Sequence, residues 1–333
     1  MPRRTLPRLP KLLGRKLYKS GQTRGADDDE IYQNRVLRSS TVLISYPVWK
    51  GHFTQTEAEQ RFENGYIVLI SPSDYFDRLR NTDELAANGL ALGQNALVFY
   101  ETRANWIANN PATSHWQPAE SRVKPLRGQY VARIPATTAA NKSEKINDGF
   151  TTKSDKGAGI RVYEYANKTT IGECRCQLEA LFWLCDDSCK VATDNGMTAA
   201  NAAVRKTEIL RTCEDRGLLD RNRLTEARML NEGGRTICPL CLKELLSQGF
   251  FTRMGQAEGR EVVDLTITEL NLFHIEELKI GVFNHRPYNL GWGHHHCNIV
   301  VKDAGIRQTL LWMSEVLRRN IDERHFSPTN NEN

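Results

Sequence analysis

The sequence predicts an α+β protein: a mixed α/β amino-terminal region followed by a core of two strands and a helix stapled by zinc. Three observations predict it. Short runs rich in β-branched and aromatic residues alternate with helical patterns over the first 135 residues. A Cys-x-x-Cys pair, Cys238 and Cys241, and a His-x-x-Cys pair, His294 and Cys297, stand about fifty residues apart. Between them "LTITELNLFHI" alternates as a strand, "NLGWG" reads as a second short strand after a loop, and "CNIVVKD" opens a helix.

Along the chain, residues 1–25 carry eight Lys or Arg and no acid. Such an arm is either a solvated tail or a ligand for a polyanion, whose phosphates reward clustered cations through counterion release. Strands are expected in "TVLISYPVW" (41–49), "GYIVLIS" (65–71) and "NALVFYETR" (95–103). Helices are expected in "TEAEQRFEN" and in "SDYFDRLRNTDELAANG", with Ser73 as N-cap and Gly89 as stop. "QYVARIP" ends at Pro135, and residues 136–159, rich in Thr, Ser, Lys and Gly, read as a linker or mobile loop. Beyond it "IRVYEYA" reads as a strand, and Gln177–Leu184, Met197–Cys213 and Arg221–Leu230 as helices. The boundaries that follow are 1–150, 151–235 for a helical connecting region, and 236–326 for the zinc-stapled core.

A chain of 333 residues buries a substantial core. No apolar run approaches the roughly 20 residues of a membrane span, and the first residues lack the apolar segment of a secretory signal. A cytoplasmic, bacterial-type setting follows, in which the eight cysteines stay reduced and clustered ones suit metal better than disulfides. The turn holding Cys238 and Cys241 is expected to lead into a short helix and to supply one half of a tetrahedral Cys3His zinc site, with His294 and Cys297 as the other half. The alternative is that these thiols are small buried apolar groups.

Residues 238–302 resemble the HNH, or ββα-metal, nuclease motif, and within it the type II restriction endonucleases of the HNH group. "LFHIEEL" ends a first strand in His274. "FNHRPYNLGWGHHHCNIV" opens a second with Asn289 and Leu290 and places Asn298 directly after the last zinc ligand, an HNN variant. The resemblance implies a site-specific, Mg²⁺-dependent endonuclease that hydrolyses double-stranded DNA to 5′-phosphate and 3′-hydroxyl ends. It implies His274 as general base, Asn289 as the residue that orients it, and Asn298 as a Mg²⁺ ligand.

The chemistry asks for these residue types. Phosphodiester hydrolysis needs a base for water and a cation for charge growing on the phosphate and the leaving oxygen. A neutral imidazole serves as the base, and an amide oxygen is a hard ligand suited to Mg²⁺. Asn289 is expected to bond backbone across the loop and so hold the His274 ring. Zinc with four protein ligands is structural. Many relatives carry an Asp or His just before the base, where this chain has Phe273. Glu276, Glu277, Glu269 and Asp264 are the nearby carboxylates, and the second Mg²⁺ ligand is left open. His295 and His296 either contact phosphate or, as the favoured reading, lie at the surface, His285 has no role assigned, and Arg286 is a candidate for holding phosphate.

Two weaker signals remain. Cys174, Cys176, Cys185 and Cys189 hold either a second zinc or are buried thiols, and Cys213 is expected in the core. "ETRANWIANNPATSHWQ" (101–117) is either a recognition loop, with Arg103 and Asn105 reading base edges, or a polar loop anchored by its tryptophans. DNA recognition is expected in residues 1–150, and a symmetric site cut on both strands favours a homodimer. The competing readings are a homing or structure-selective HNH nuclease and a non-catalytic zinc-stapled DNA-binding protein.

Overall fold

Apolar residues at consecutive positions, rather than alternate ones, mark strands buried on both faces, and such strands form parallel sheets covered on each side. The computed structural model of the chain describes residues 6–20, 22–23, 36–37, 42–52, 66–80, 84–119, 128–132, 134, 166–255, 267–278, 283–302 and 304–327. They divide between two units, 21–171 with 280–283, and 1–20 with 172–279 and 284–333. Among the described residues no helix is long and apolar enough to cross a membrane.

The first unit is built on a four-stranded sheet, β1 (Val42–Ser45), β2 (Tyr66–Ile70), β3 (Ala96–Tyr100) and β4 (Tyr130–Ala132), ordered 1-2-3-4 and parallel throughout. Ile44 stands opposite Val68, Val68 opposite Ala96, and Val98 opposite Tyr130. Ile67, Val68, Ile70, Leu97 and Val98 are fully buried, so both faces are covered.

Two of the expected strands are shorter than the apolar runs that suggested them. β1 stops at Ser45 because Pro47 cannot donate to a ladder but fits the first turn of a helix, and Tyr46–His52 is helical. β3 stops at Tyr100, after which Thr102 accepts from the Asn105 amide at 3.2 Å and caps the helix Arg103–Ala108. The expected cap at Ser73 is instead Ser71, which accepts from the Asp74 amide at 3.0 Å, because Pro72 takes the first helical position. That helix continues as a widened turn, Tyr75–Leu79, and a separate one, Glu84–Ala87, precedes Gly89 at φ 66°. The stretch 101–117 is thus a short helix and a 3-10 turn, Pro111–Ser114, anchored by Trp106 against Tyr100 and Trp116 stacked on Phe76. "TEAEQRFEN", the linker 136–159 and residues 160–165 of "IRVYEYA" lie outside the described residues.

The second unit gathers α1 (Lys11–Lys19), most of α2 (Lys168–Trp183), α3 (Ser188–Asp194), α4 (Ala199–Asp215), α5 (Arg221–Glu226), the antiparallel pair β5 (Leu270–His274) and β6 (Leu290–His294), α6 (His295–Val301) and α7 (Ile306–Asp322). One core joins α2 and α4 to the hairpin, through Phe182, Phe250 and Trp292 meeting edge to face. The Trp292 indole donates to the Leu178 carbonyl at 2.7 Å. Fully buried Gln177 accepts from the Tyr288 amide at 2.8 Å and donates to the Leu218 carbonyl at 2.8 Å, tying the loop before β6 to the helices. Both polar ends of the Gln177 amide are thus bonded, which is what makes its burial tolerable.

Part of the basic arm is not a solvated tail. Leu13 and Leu17, four residues apart, share a helix face and are buried in this core, while Lys16 is 3 % exposed with its ammonium on the Leu270 carbonyl at 2.7 Å. Cys174, Cys176, Cys185 and Cys213 are buried and Cys189 is half-buried. The Cys176 and Cys213 sulfurs are 2.8 Å apart, and burial pushes the Cys185 thiol up to about 12. Among the described residues Cys174, Cys176, Cys185 and Cys189 form no metal-ligand group.

Candidate metal centre and active site

Cys238 and Cys241 lie on a tight reversal closed by backbone bonds, Cys238 N–H to Lys243 O and Leu242 N–H to Cys238 O, both 2.9 Å. Leu242 takes φ 60° at its tip, and Ile237 pairs with Glu244 across it. The turn therefore leads into an extended arm and not into the short helix expected, because a chain reversing in four residues returns as a paired strand; the next helical turn is Ser247–Phe250. His294 ends β6 and Cys297 sits in the first turn of α6.

The four candidate ligand atoms all lie within 4.8 Å of one another. Cys241 Sγ is 3.3 Å from His294 Nδ1, which makes Nδ1 the inward-facing nitrogen. Ligands about 2.0–2.3 Å from a tetrahedral zinc stand roughly 3.5–3.8 Å apart, so the cluster fits that ion and leaves no open position. The electrostatics agree. Burial, and then the Cys238 and Cys241 thiols, push the Cys297 thiol up, and burial, followed by His296 and Lys243, lowers the His294 pKa toward the neutral imidazole a metal needs. Three thiols this close could ionise together only with a cation between them.

β5 and β6 run antiparallel with Leu270 opposite His294 and His274 opposite Leu290, so the Cys3His cluster and His274 occupy opposite ends of one hairpin. Helix α6 packs on both strands and runs back along them, because Ile306, just beyond it, donates its amide to the Ile275 carbonyl at 2.8 Å. Gly305 makes that return possible: it has φ 77°, and a Cβ there would stand 2.7 Å from the Glu277 nitrogen. Asn298, half-buried on α6, thus lies on the segment that returns from His294 toward the His274 end.

Asn289 is 0 % exposed and both ends of its amide are used. Oδ1 accepts from the Glu276 amide at 2.6 Å, and Nδ2 donates to the Asn284 carbonyl at 2.6 Å. One side chain grips the loop two residues after His274 and one residue before His285. His274 Nε2 is 3.0 Å from His285 Nδ1, and His285 Nε2 is 2.6 Å from the Ser20 carbonyl. The sequence reading had no place for His285, and no local pattern marks it.

Phe273 is fully buried, on the opposite face of β5 from His274, and lies against Gly293, where a Cβ would come within 2.5 Å of its ring. Glu269 sits at the Cys3His end, its carbonyl accepting from the His295 amide at 2.7 Å. Glu276 lies at the His274 end, 3.2 Å from Arg286. Asp264 is outside the described residues. His296 is exposed and stacked on His294, whereas His295, expected at the surface, is half-buried with Nδ1 3.1 Å from the Asn271 amide nitrogen, because α6 folds back onto β5. Arg103 and Asn105 belong to the sheet unit, at the start of its helix Arg103–Ala108.

The family model of the BstXI restriction endonuclease matches residues 15–295, most of the chain. No curated protein and no solved structure matches it. The chain belongs to the BstXI restriction endonuclease family: it is a site-specific type II restriction endonuclease, an enzyme that hydrolyses double-stranded DNA.

Proposed function

We propose that this restriction endonuclease cuts DNA with an HNH, or ββα-metal, centre formed by β5, β6 and α6, with zinc in a structural role and Mg²⁺ in the reaction. In this reading Cys238, Cys241, His294 and Cys297 hold the zinc, and Asn298 supplies one oxygen ligand to the Mg²⁺. A hard divalent cation there offsets charge on the scissile phosphate and the leaving 3′ oxygen. His274 takes a proton from water as its oxygen bonds to phosphorus; the P–O3′ bond breaks, and the 3′ oxygen leaves as a hydroxyl after gaining a proton. Asn289 holds the loop from which His274 acts, and Arg286 binds a neighbouring phosphate.

The observation that carries the reading is one side chain, Asn289, bonded to backbone on both sides of the His274 loop, in a hairpin whose other end gathers Cys3His. A binding protein needs no such support for an imidazole. In this proposal the sheet unit, within residues 21–150, serves recognition, 151–235 connect and 236–326 form the nuclease region together with α1, which packs into its unit, and Arg103 and Asn105 are among the base-reading candidates. Two copies related by a two-fold axis present two nuclease centres to a symmetric site, which sedimentation with and without DNA checks.

The test of the whole is cleavage of a sequenced plasmid with and without Mg²⁺, with the ends mapped. Full cleavage in a chelator that spares bound zinc, or 3′-phosphate ends, overturns the reading.

A further inference from the structure

We propose that His285 is a positioning residue for the reaction: it fixes the tautomer and orientation of His274 through a relay that starts at the Ser20 carbonyl. The inference rests on the reading of His274 as the base.

The argument is one of donors and acceptors. A backbone carbonyl only accepts, so the 2.6 Å contact to Ser20 O places the proton of neutral His285 on Nε2. Its Nδ1 then offers a lone pair, and the 3.0 Å contact with His274 Nε2 requires that nitrogen to carry a proton. The lone pair of neutral His274 is thereby assigned to Nδ1, the atom that receives the proton from water. When it does, the imidazolium keeps its Nε2–H bond to His285, which helps hold the new charge in place. A carboxylate in the same position would attract a proton to the ring and raise the pKa of the base; a neutral imidazole orients it with less such bias.

The relay is anchored as a rigid part. His285 is 1 % exposed and Ser20 is fully buried. Ser20 caps the end of α1, with its hydroxyl on the Leu17 carbonyl at 2.6 Å, and α1 is held to β5 by Lys16 on the Leu270 carbonyl. At the other side, Asn289 holds the carbonyl of Asn284, the residue before His285. Backbone from the end of α1 and from the loop before β6 therefore converges on the ring that contacts His274.

The test compares His285→Ala, His285→Gln and His274→Ala in the full-length enzyme, by single-turnover cleavage with Mg²⁺ and by DNA binding with Ca²⁺. His285→Ala is expected to slow cleavage by roughly 10- to 1,000-fold, short of the ~10²–10⁴-fold for deleting a base, with DNA binding changed less than about twofold. His285→Gln retains one donor and one acceptor and is expected to recover much of the loss. Nitrogen-15 NMR of the wild-type histidines is expected to show the Nε2–H tautomer at both 274 and 285. A wild-type rate for folded His285→Ala, or Nδ1–H at His285, overturns the inference, and the NMR decides if the alanine variant does not fold. Wild-type cleavage by His274→Ala would instead overturn the base reading itself.

Discussion

Replacing Asn289 with alanine separates support of the loop from chemistry. The substitution removes two bonds of 2.6 Å from a side chain that solvent does not reach. Their losses differ. The Asn284 carbonyl still accepts from the Arg286 amide at 2.9 Å, so the bond there is worth only the net ~0.5–1.5 kcal/mol of an ordinary hydrogen bond. The Glu276 amide loses its carbonyl partner and, with the site dry, costs ~1–3 kcal/mol. Together Asn289→Ala should destabilise the unit by roughly 1.5–4.5 kcal/mol, which for a unit of this size lowers Tm by about 3–18 °C. Cleavage should fall as well, by less than for His274→Ala, since the base remains but is held loosely. Asn289→Asp sharpens the test: it keeps the acceptor for Glu276 but sets a carboxylate oxygen against the Asn284 carbonyl, so at neutral pH it should be no more stable than the alanine variant. Because burial raises the pKa of the introduced acid, its protonated form donates to that carbonyl, and stability should recover as pH falls. Differential scanning fluorimetry and single-turnover cleavage read both. A melting point for Asn289→Ala within about 1 °C of wild type would show that the clamp holds nothing.

The remaining predictions follow from the two ends of the hairpin. His274→Ala should cut ~10²–10⁴-fold more slowly while DNA affinity, Tm and zinc content stay at wild-type values; wild-type cleavage would move the base elsewhere. Cys238→Ser, or strong chelation, should remove one zinc per chain and destabilise the unit, and zinc retention should weaken as pH falls because the thiolates must stay deprotonated; active protein free of zinc by elemental analysis refutes the centre. Asn298→Ala should lose Mg²⁺-supported cleavage but regain part of it with Mn²⁺ or at high Mg²⁺, with zinc unchanged; an unaltered Mg²⁺ dependence argues against its ligand role.

Much of this arrangement was legible in the sequence, and the reasons are local. Alternation over a few residues marks β5, and equal spacings in C-x-x-C and H-x-x-C mark the metal cluster. The parallel strands were legible as apolar runs, but their ends were set by Pro47 and by the Thr102 cap, which compete with strand propensity one residue at a time. What could not be read is what depends on distant backbone. His285 meets a carbonyl 265 residues away, and α1 looks like a basic arm because its lysines hide Leu13 and Leu17, whose burial depends on the rest of the core.

The geometry also bears on the ligand that the sequence left open. If Asn298 holds a hard cation, its second protein ligand cannot come from the residue before His274. Strand alternation turns Phe273 to the core, and Gly293, diagonally across on β6, leaves room for its ring; a carboxylate there would be buried among apolar side chains and unpaired. Glu269 fails for another reason. It precedes Leu270, and five residues of strand at about 3.3 Å each put it roughly 17 Å along the hairpin from His274, beside the Cys3His cluster. Glu276 and Glu277 follow His274 within three residues, and the Glu276 carboxylate is already within 3.2 Å of Arg286. A phosphate that draws Arg286 away would free that carboxylate for a cation, so metal and DNA should bind cooperatively here, and Arg286→Ala should weaken DNA binding while tightening Mg²⁺ binding to the DNA-free enzyme. If Arg286→Ala left both affinities unchanged, the arginine and the metal would not share Glu276, and Glu277 would be the carboxylate to test next.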